Sequence, residues 1–149
     1  FRLGFVGDGD EAETELPFAQ AGHDALVTGA DGLLGDRFGA HGVLQVALDQ
    51  GRVAGFAQDV KACALGQAAA GVLGQSVIGA SVEEITEARD AMSAMLKSGG
   101  EGPSGRFEDL RLLKQVADYP ARHASTLLTF DAVVSALDQI EAKRAQAAE

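Results

Sequence analysis

Basic residues are scarce in this chain, and cysteine is almost missing. Lysine and arginine total 12 against 22 aspartates and glutamates, a formal charge of −10. Such a surface repels phosphate backbones and anionic headgroups, so no nucleic-acid or membrane-surface partner is expected. The single cysteine, Cys63, excludes an internal disulfide and fits a reducing compartment. No apolar run approaches the roughly 20 residues of a membrane-spanning helix. The first residues also lack the basic start of a signal peptide, so a soluble, cytoplasmic protein is expected. What the chain does have is 149 residues at 46% hydrophobic content, enough for one domain around a single core.

The apolar pattern divides the chain into a strand-rich first part and a helical remainder. Residues 1–6 (FRLGFV) and 24–28 (DALVT) suit short strands, and 11–22 suits a short helix interrupted at Pro17. Residues 29–42 read as a glycine-rich loop. Leu44, Val46 and Leu48 alternate with Gln45, and after the turn Asp49-Gln50-Gly51 residues 52–60 return as the second arm of a hairpin. Both alternations of that second arm hold apolar residues, so its core face is open.

A helix of small side chains follows, with Ala64, Gly66, Ala68, Ala69, Ala70 and Gly71. Bare surfaces let other backbones approach closely, so this helix is expected to be buried. Ser81 and Glu84 then form a capping box, Ile85, Ala88, Met92, Met95 and Leu96 recur at helical spacing, and Gly99-Gly100 ends the element. Residues 106–116 suit a helix burying Phe107, Leu110, Leu113 and Val116. Beyond Tyr119-Pro120, a long final helix carries Leu127, Leu128, Phe130, Val134, Leu137 and Ile140, and residues 141–149 are expected to fray. The fold class is therefore α+β, a small antiparallel sheet followed by packed helices.

Two stretches imitate dinucleotide-binding turns. Gly7-Asp8-Gly9-Asp10-Glu11-Ala12 nearly matches G-x-G-x-x-G/A, and Thr28-Gly29-Ala30-Asp31-Gly32-Leu33-Leu34-Gly35 resembles a TGxxGxxG turn. A NAD(P)-binding enzyme built on these turns is one function to test. Physical reasoning weighs against it. Asp8, Asp10, Glu11 and Glu13 would repel a pyrophosphate at the first turn, and too few residues follow the second for a βαβ crossover helix. Asp8 and Asp10 also fail the calcium-loop pattern, because Ala12 and Glu13 stand where an oxygen ligand and a glycine belong.

The remaining chemistry lies with Cys63, His41 and His123. Cys63 stands where the strand pattern gives way to the small-residue helix. Unpaired N–H groups and the positive end of the helix dipole favour thiolate there, the form that binds metals and attacks sulfur. A small buried hydrophobe at a tight helix start is the alternative. Cysteine with histidine supplies either a metal site or an activated thiol. His41 beside Gly42 and His123 in Arg122-His123-Ala124-Ser125 are the candidate partners, and a surface histidine is the plain alternative for each. His23 has no evident partner.

Taken in order, a hairpin leads into a cysteine-headed small-residue helix, a capped helix, a glycine-rich break, and R-x-x-S before a long apolar helix. This order resembles the IscU/NifU-type iron–sulfur cluster assembly scaffold family. The likeness is most specific in Gly51-Arg52-Val53, in Cys63-Ala64-Leu65-Gly66-Gln67-Ala68, and in Ile78-Gly79-Ala80-Ser81-Val82-Glu83-Glu84. It implies an IscU/NifU-like domain at 41–149 behind a divergent N-terminal segment at 1–40.

The resemblance further implies a scaffold or sulfur acceptor rather than a turnover enzyme. Its partners would be a cysteine desulfurase or other iron–sulfur assembly proteins, and its cargo an iron–sulfur cluster, iron or zinc. Family members hold that cargo with three cysteines and an aspartate. The C-G-D turn that supplies the first cysteine and the aspartate falls on His41-Gly42-Val43, the second cysteine on Cys63, and the third on Ser125. The resemblance thus makes Cys63 the sulfur acceptor, with Cys63, His41 and His123 as possible metal ligands. Val43 and Ser125 are degenerate ligand positions, since valine cannot replace a carboxylate and serine is a poor ligand. A non-catalytic relative that keeps the fold as a partner-binding module is the other outcome the resemblance allows.

Overall fold

The computed structural model describes residues 24–30 and 41–147. Strands β1 (Asp24–Ala30), β2 (His41–Asp49) and β3 (Arg52–Lys61) form an antiparallel sheet in the order β1-β2-β3. Helices α1 (Ala64–Ser76), α2 (Val82–Ser98) and α3 (His123–Ala147) follow. Between α2 and α3 lie a 3-10 segment, Gly105–Asp118, and a 3-10 turn, Pro120–Arg122. The expected α+β order of sheet and then packed helices is the one observed. The strand at 1–6, the helix at 11–22, the glycine pattern at 7–12 and His23 lie outside the described residues.

Gln50 and Gly51 make the hairpin turn between β2 and β3, with φ of 52° and 77°. Two successive positive φ values give the type I′ turn, whose twist matches that of the paired strands. A bulge then settles which face of β3 meets the core. Leu48 pairs with Val53 but Ala47 with Gly55, so Ala54 is an extra residue. The inward parity changes there, from Val53 before the bulge to Phe56, Gln58 and Val60 after it, all of them buried. Both alternations in the sequence are therefore used, one on each side of Ala54.

Strand β2 begins at His41 and β1 extends to Ala30, so both run further into the expected loop at 29–42 than periodicity indicates. The cause is pairing on two sides. Gly42 faces Ala30 in β1 and Val60 in β3, so the backbone groups of β2 find partners without help from side-chain pattern. Strand β1 comes from the segment before residue 41 and shares the sheet with the hairpin.

The expected helix at 106–116 is a 3-10 segment instead, entered through Gly105 at φ 70° and kinked at Phe107. Its buried residues explain the difference. Phe107, Leu110, Leu113 and Val116 recur every third residue, which is the repeat of a 3-10 helix and drifts around an α-helix. Phe107 packs edge-on against Phe130 of α3, with ring centroids 5.7 Å apart. Helix α3 continues through residues 141–147, where fraying was expected. Alanine and charged residues of good helix propensity carry that exposed end.

The two helix caps match the sequence. Ser81 Oγ accepts the Glu84 N–H at 3.1 Å, and Gly99 closes α2 at φ 72°. Arg106 joins the end of α1 to the start of α2, donating to Glu84 Oε2 at 2.9 Å and to the carbonyls of Ser76 and Ile78. In the core, Gln58 of β3 donates to Ala70 O of α1 at 2.8 Å and accepts from Thr129 Oγ1 of α3 at 2.8 Å. One amide thus fixes the spacing of sheet and both helices. Thr129→Val keeps the shape but leaves the buried Gln58 oxygen unpaired, so unfolding stability is expected to fall by about 1–3 kcal/mol in chemical denaturation.

Candidate functional site

The end of β3, the start of α1 and the start of α3 converge on Cys63. Its backbone is extended (φ −63°, ψ 171°) and it is the N-cap residue of α1, where Gln67 N–H donates to Cys63 O at 2.9 Å. Gln67 also turns its side-chain Nε2 back to Val60 O at 2.7 Å, tying the first turn of α1 to the last residues of β3. The sulfur is partly exposed, so the thiol is not the small buried hydrophobe that local sequence allows.

Helix α3 approaches through a glycine. A Cβ added at Gly66 would stand 2.6 Å from Ala62 Cβ and 2.8 Å from Ser125 O. Neither neighbour is a flexible side-chain tip, so only glycine lets the two helix starts come this close. The contact sets Ser125 Oγ 3.4 Å from Cys63 Sγ. Ser125 is buried, and Arg122 stands one turn before it on the run into α3.

These neighbours decide the state of the thiol. Partial burial pushes the Cys63 thiol up. The Ser125 hydroxyl, the backbone N–H groups of Gly66 and Leu65, and the Arg122 charge all favour the thiolate, and together they leave it below the ordinary thiol value. Gly66 and Leu65 belong to the first helical turn, whose amides lack intrahelical acceptors. The arrangement suits a nucleophilic or ligating sulfur.

His123 has a different place from the one its sequence position suggests. It is buried, and its Nε2 donates to Val116 O at 3.0 Å and to Ala117 O at 3.3 Å. Both acceptors are carbonyls, so this nitrogen carries its hydrogen and closes the end of the 3-10 segment. His41 and Val43 sit at register positions opposite Lys61 and Asp59, on the strand that leads to Cys63. Among the described residues, no group of three or more histidine, cysteine, aspartate or glutamate side chains is placed to hold a metal ion. No helix among them is long and apolar enough to cross a membrane.

Sequence reasoning names Cys63 and Ser125, which the fold brings together; it names Gly66 only as one of the small residues of α1 and Arg122 only within R-x-x-S, with no role at the sulfur for either. The second dinucleotide-like turn, at 28–35, loses its structural basis. The two strands it links, β1 and β2, are antiparallel neighbours, whereas a nucleotide-binding βαβ unit needs parallel ones.

Two substitutions test this geometry. Gly66→Ala should cost about 1–3 kcal/mol of stability by overpacking, despite the better helix propensity of alanine. Ser125→Ala removes a donor to the sulfur. The pH midpoint of Cys63 alkylation should therefore rise toward that of a free thiol, with slower alkylation at neutral pH and an unchanged rate once the thiol is fully ionised.

No family model matches the chain, and neither does any curated protein. Among solved structures, the chain is 47% identical to the N-terminal part of a nitrogen-fixing NifU-like protein from Brucella abortus, covering 83% of each chain at a TM-score of 0.75. A hypothetical protein of known structure is 24% identical, over 78% of this chain and 82% of that one, at a TM-score of 0.62. A candidate iron–sulfur cluster assembly scaffold protein for the SUF system, from Fervidobacterium islandicum AW-1, is 21% identical at a TM-score of 0.57, over 66% and 73% of the two chains. The last two share the fold. With the identity and coverage of the first, the chain belongs to the IscU/NifU-type family of NifU-like N-terminal domains.

Proposed function

We propose that this protein is a scaffold-type component of iron–sulfur cluster assembly that handles sulfur or metal through Cys63, without turnover of a small substrate. The observation that carries this is a partly exposed sulfur at the N-cap of α1, held 3.4 Å from Ser125 Oγ in a NifU-like fold. Its partners are other iron–sulfur assembly proteins, with a cysteine desulfurase as the sulfur donor.

The sulfur step needs only a persulfide on that donor. The Cys63 thiolate attacks the outer sulfur of the donor's R–S–S–H group, and a new S–S bond forms on Cys63 as the donor S–S bond breaks. The electron pair leaves with the donor's inner sulfur as thiolate. One persulfide and one thiolate stand on each side, so no external oxidant or reductant enters. Ser125 Oγ and the first amides of α1 stand at the attacking sulfur, and with the Arg122 charge they favour its anionic form.

A second use of the fold, as a partner-binding module without sulfur chemistry, is favoured by the hydroxyl at 125 where a thiolate would stand in the family. One substitution separates the two. Treatment with a persulfide-loaded desulfurase should add one sulfur atom to the Cys63 peptide by mass spectrometry, and Cys63→Ser should abolish the gain. If Cys63→Ala leaves partner binding intact and the wild type takes up neither sulfur nor metal, the module is what remains.

A further inference from the structure

Resting on Cys63 as the working atom, we infer that its cargo is sulfur, and that the described side chains around it make no site for a metal ion or a cluster. The ligand chemistry carries this. An open metal site takes three protein ligands and a [2Fe–2S] cluster takes four, and no such group assembles among the described residues. The side chain hydrogen-bonded to the sulfur is a neutral hydroxyl, which at 3.4 Å acts as a donor to a sulfur anion and compensates no cationic charge.

Arg122, one turn before Ser125, is a permanent cation and adds no ligand, so position 125 offers Cys63 neither a second thiolate nor a carboxylate.

The full chain distinguishes these outcomes under reducing, anaerobic conditions. After equilibration with zinc, and separately with ferrous iron and sulfide, element analysis should find metal well below one atom per chain, while a persulfide donor loads Cys63 with one sulfur. Ser125→Cys places a second thiolate against the first. Loss of an outer-shell partner alone changes metal affinity by roughly 10–100-fold, so an added ligand should raise zinc affinity by at least about tenfold. Zinc or iron at one atom per wild-type chain, lost in Cys63→Ser, would overturn the inference while leaving the assembly role standing. No gain in Ser125→Cys would overturn it too, since position 125 would then not be the missing ligand. Failure of Cys63 to take either sulfur or metal would remove the assembly role itself.

Discussion

The site depends on one backbone contact. Helices α1 and α3 meet at their first turns, and they meet closely because residue 66 has no side chain. Any larger residue pushes Ser125 away from Cys63, and with it the turn that carries Arg122. The sheet serves this contact indirectly. Gln58 on β3 holds α1 through Ala70 O and α3 through Thr129, so the helices are spaced by an amide whose two ends are both used. Elsewhere in the core, Phe107 of the 3-10 segment packs edge-on against Phe130 of α3.

From this contact follows a sulfur in an unusual setting for an acidic protein. The chain carries a formal charge of −10, yet the atoms around Cys63 are hydrogen-bond donors and a guanidinium. Exposed charges are screened over about 8–10 Å and partly buried neighbours much less, so these near groups favour thiolate despite the negative formal charge.

Much of the fold was legible in the sequence. Ser81 with Glu84 and Gly99 mark the ends of α2, and Asp49-Gln50-Gly51 marks the hairpin, because caps and tight turns need particular residues at particular places. The face of β3 was not legible, since the bulge at Ala54 changes parity and no residue type announces it. Residues 107, 110, 113 and 116 did announce their 3-10 geometry through a strict repeat of three, which an α-helical template absorbs without notice. Cys63 was singled out by its place at a helix start and Ser125 through family likeness, and the two are neighbours in space. His123 was not readable as a capping group, because its carbonyl partners belong to a segment whose form the sequence left as α-helix. His41 reaches the site's strand by register alone.

Proximity of positions 63 and 125 across two helices is the claim on which all the chemistry stands. It is tested most directly by oxidising the Ser125→Cys chain at low concentration and mapping its disulfides by mass spectrometry. A 63–125 cross-link within one chain is the expected product, formed without loss of helical structure. Disulfides only between chains, or a free thiol at both positions, would mean that the two helix starts do not meet as described.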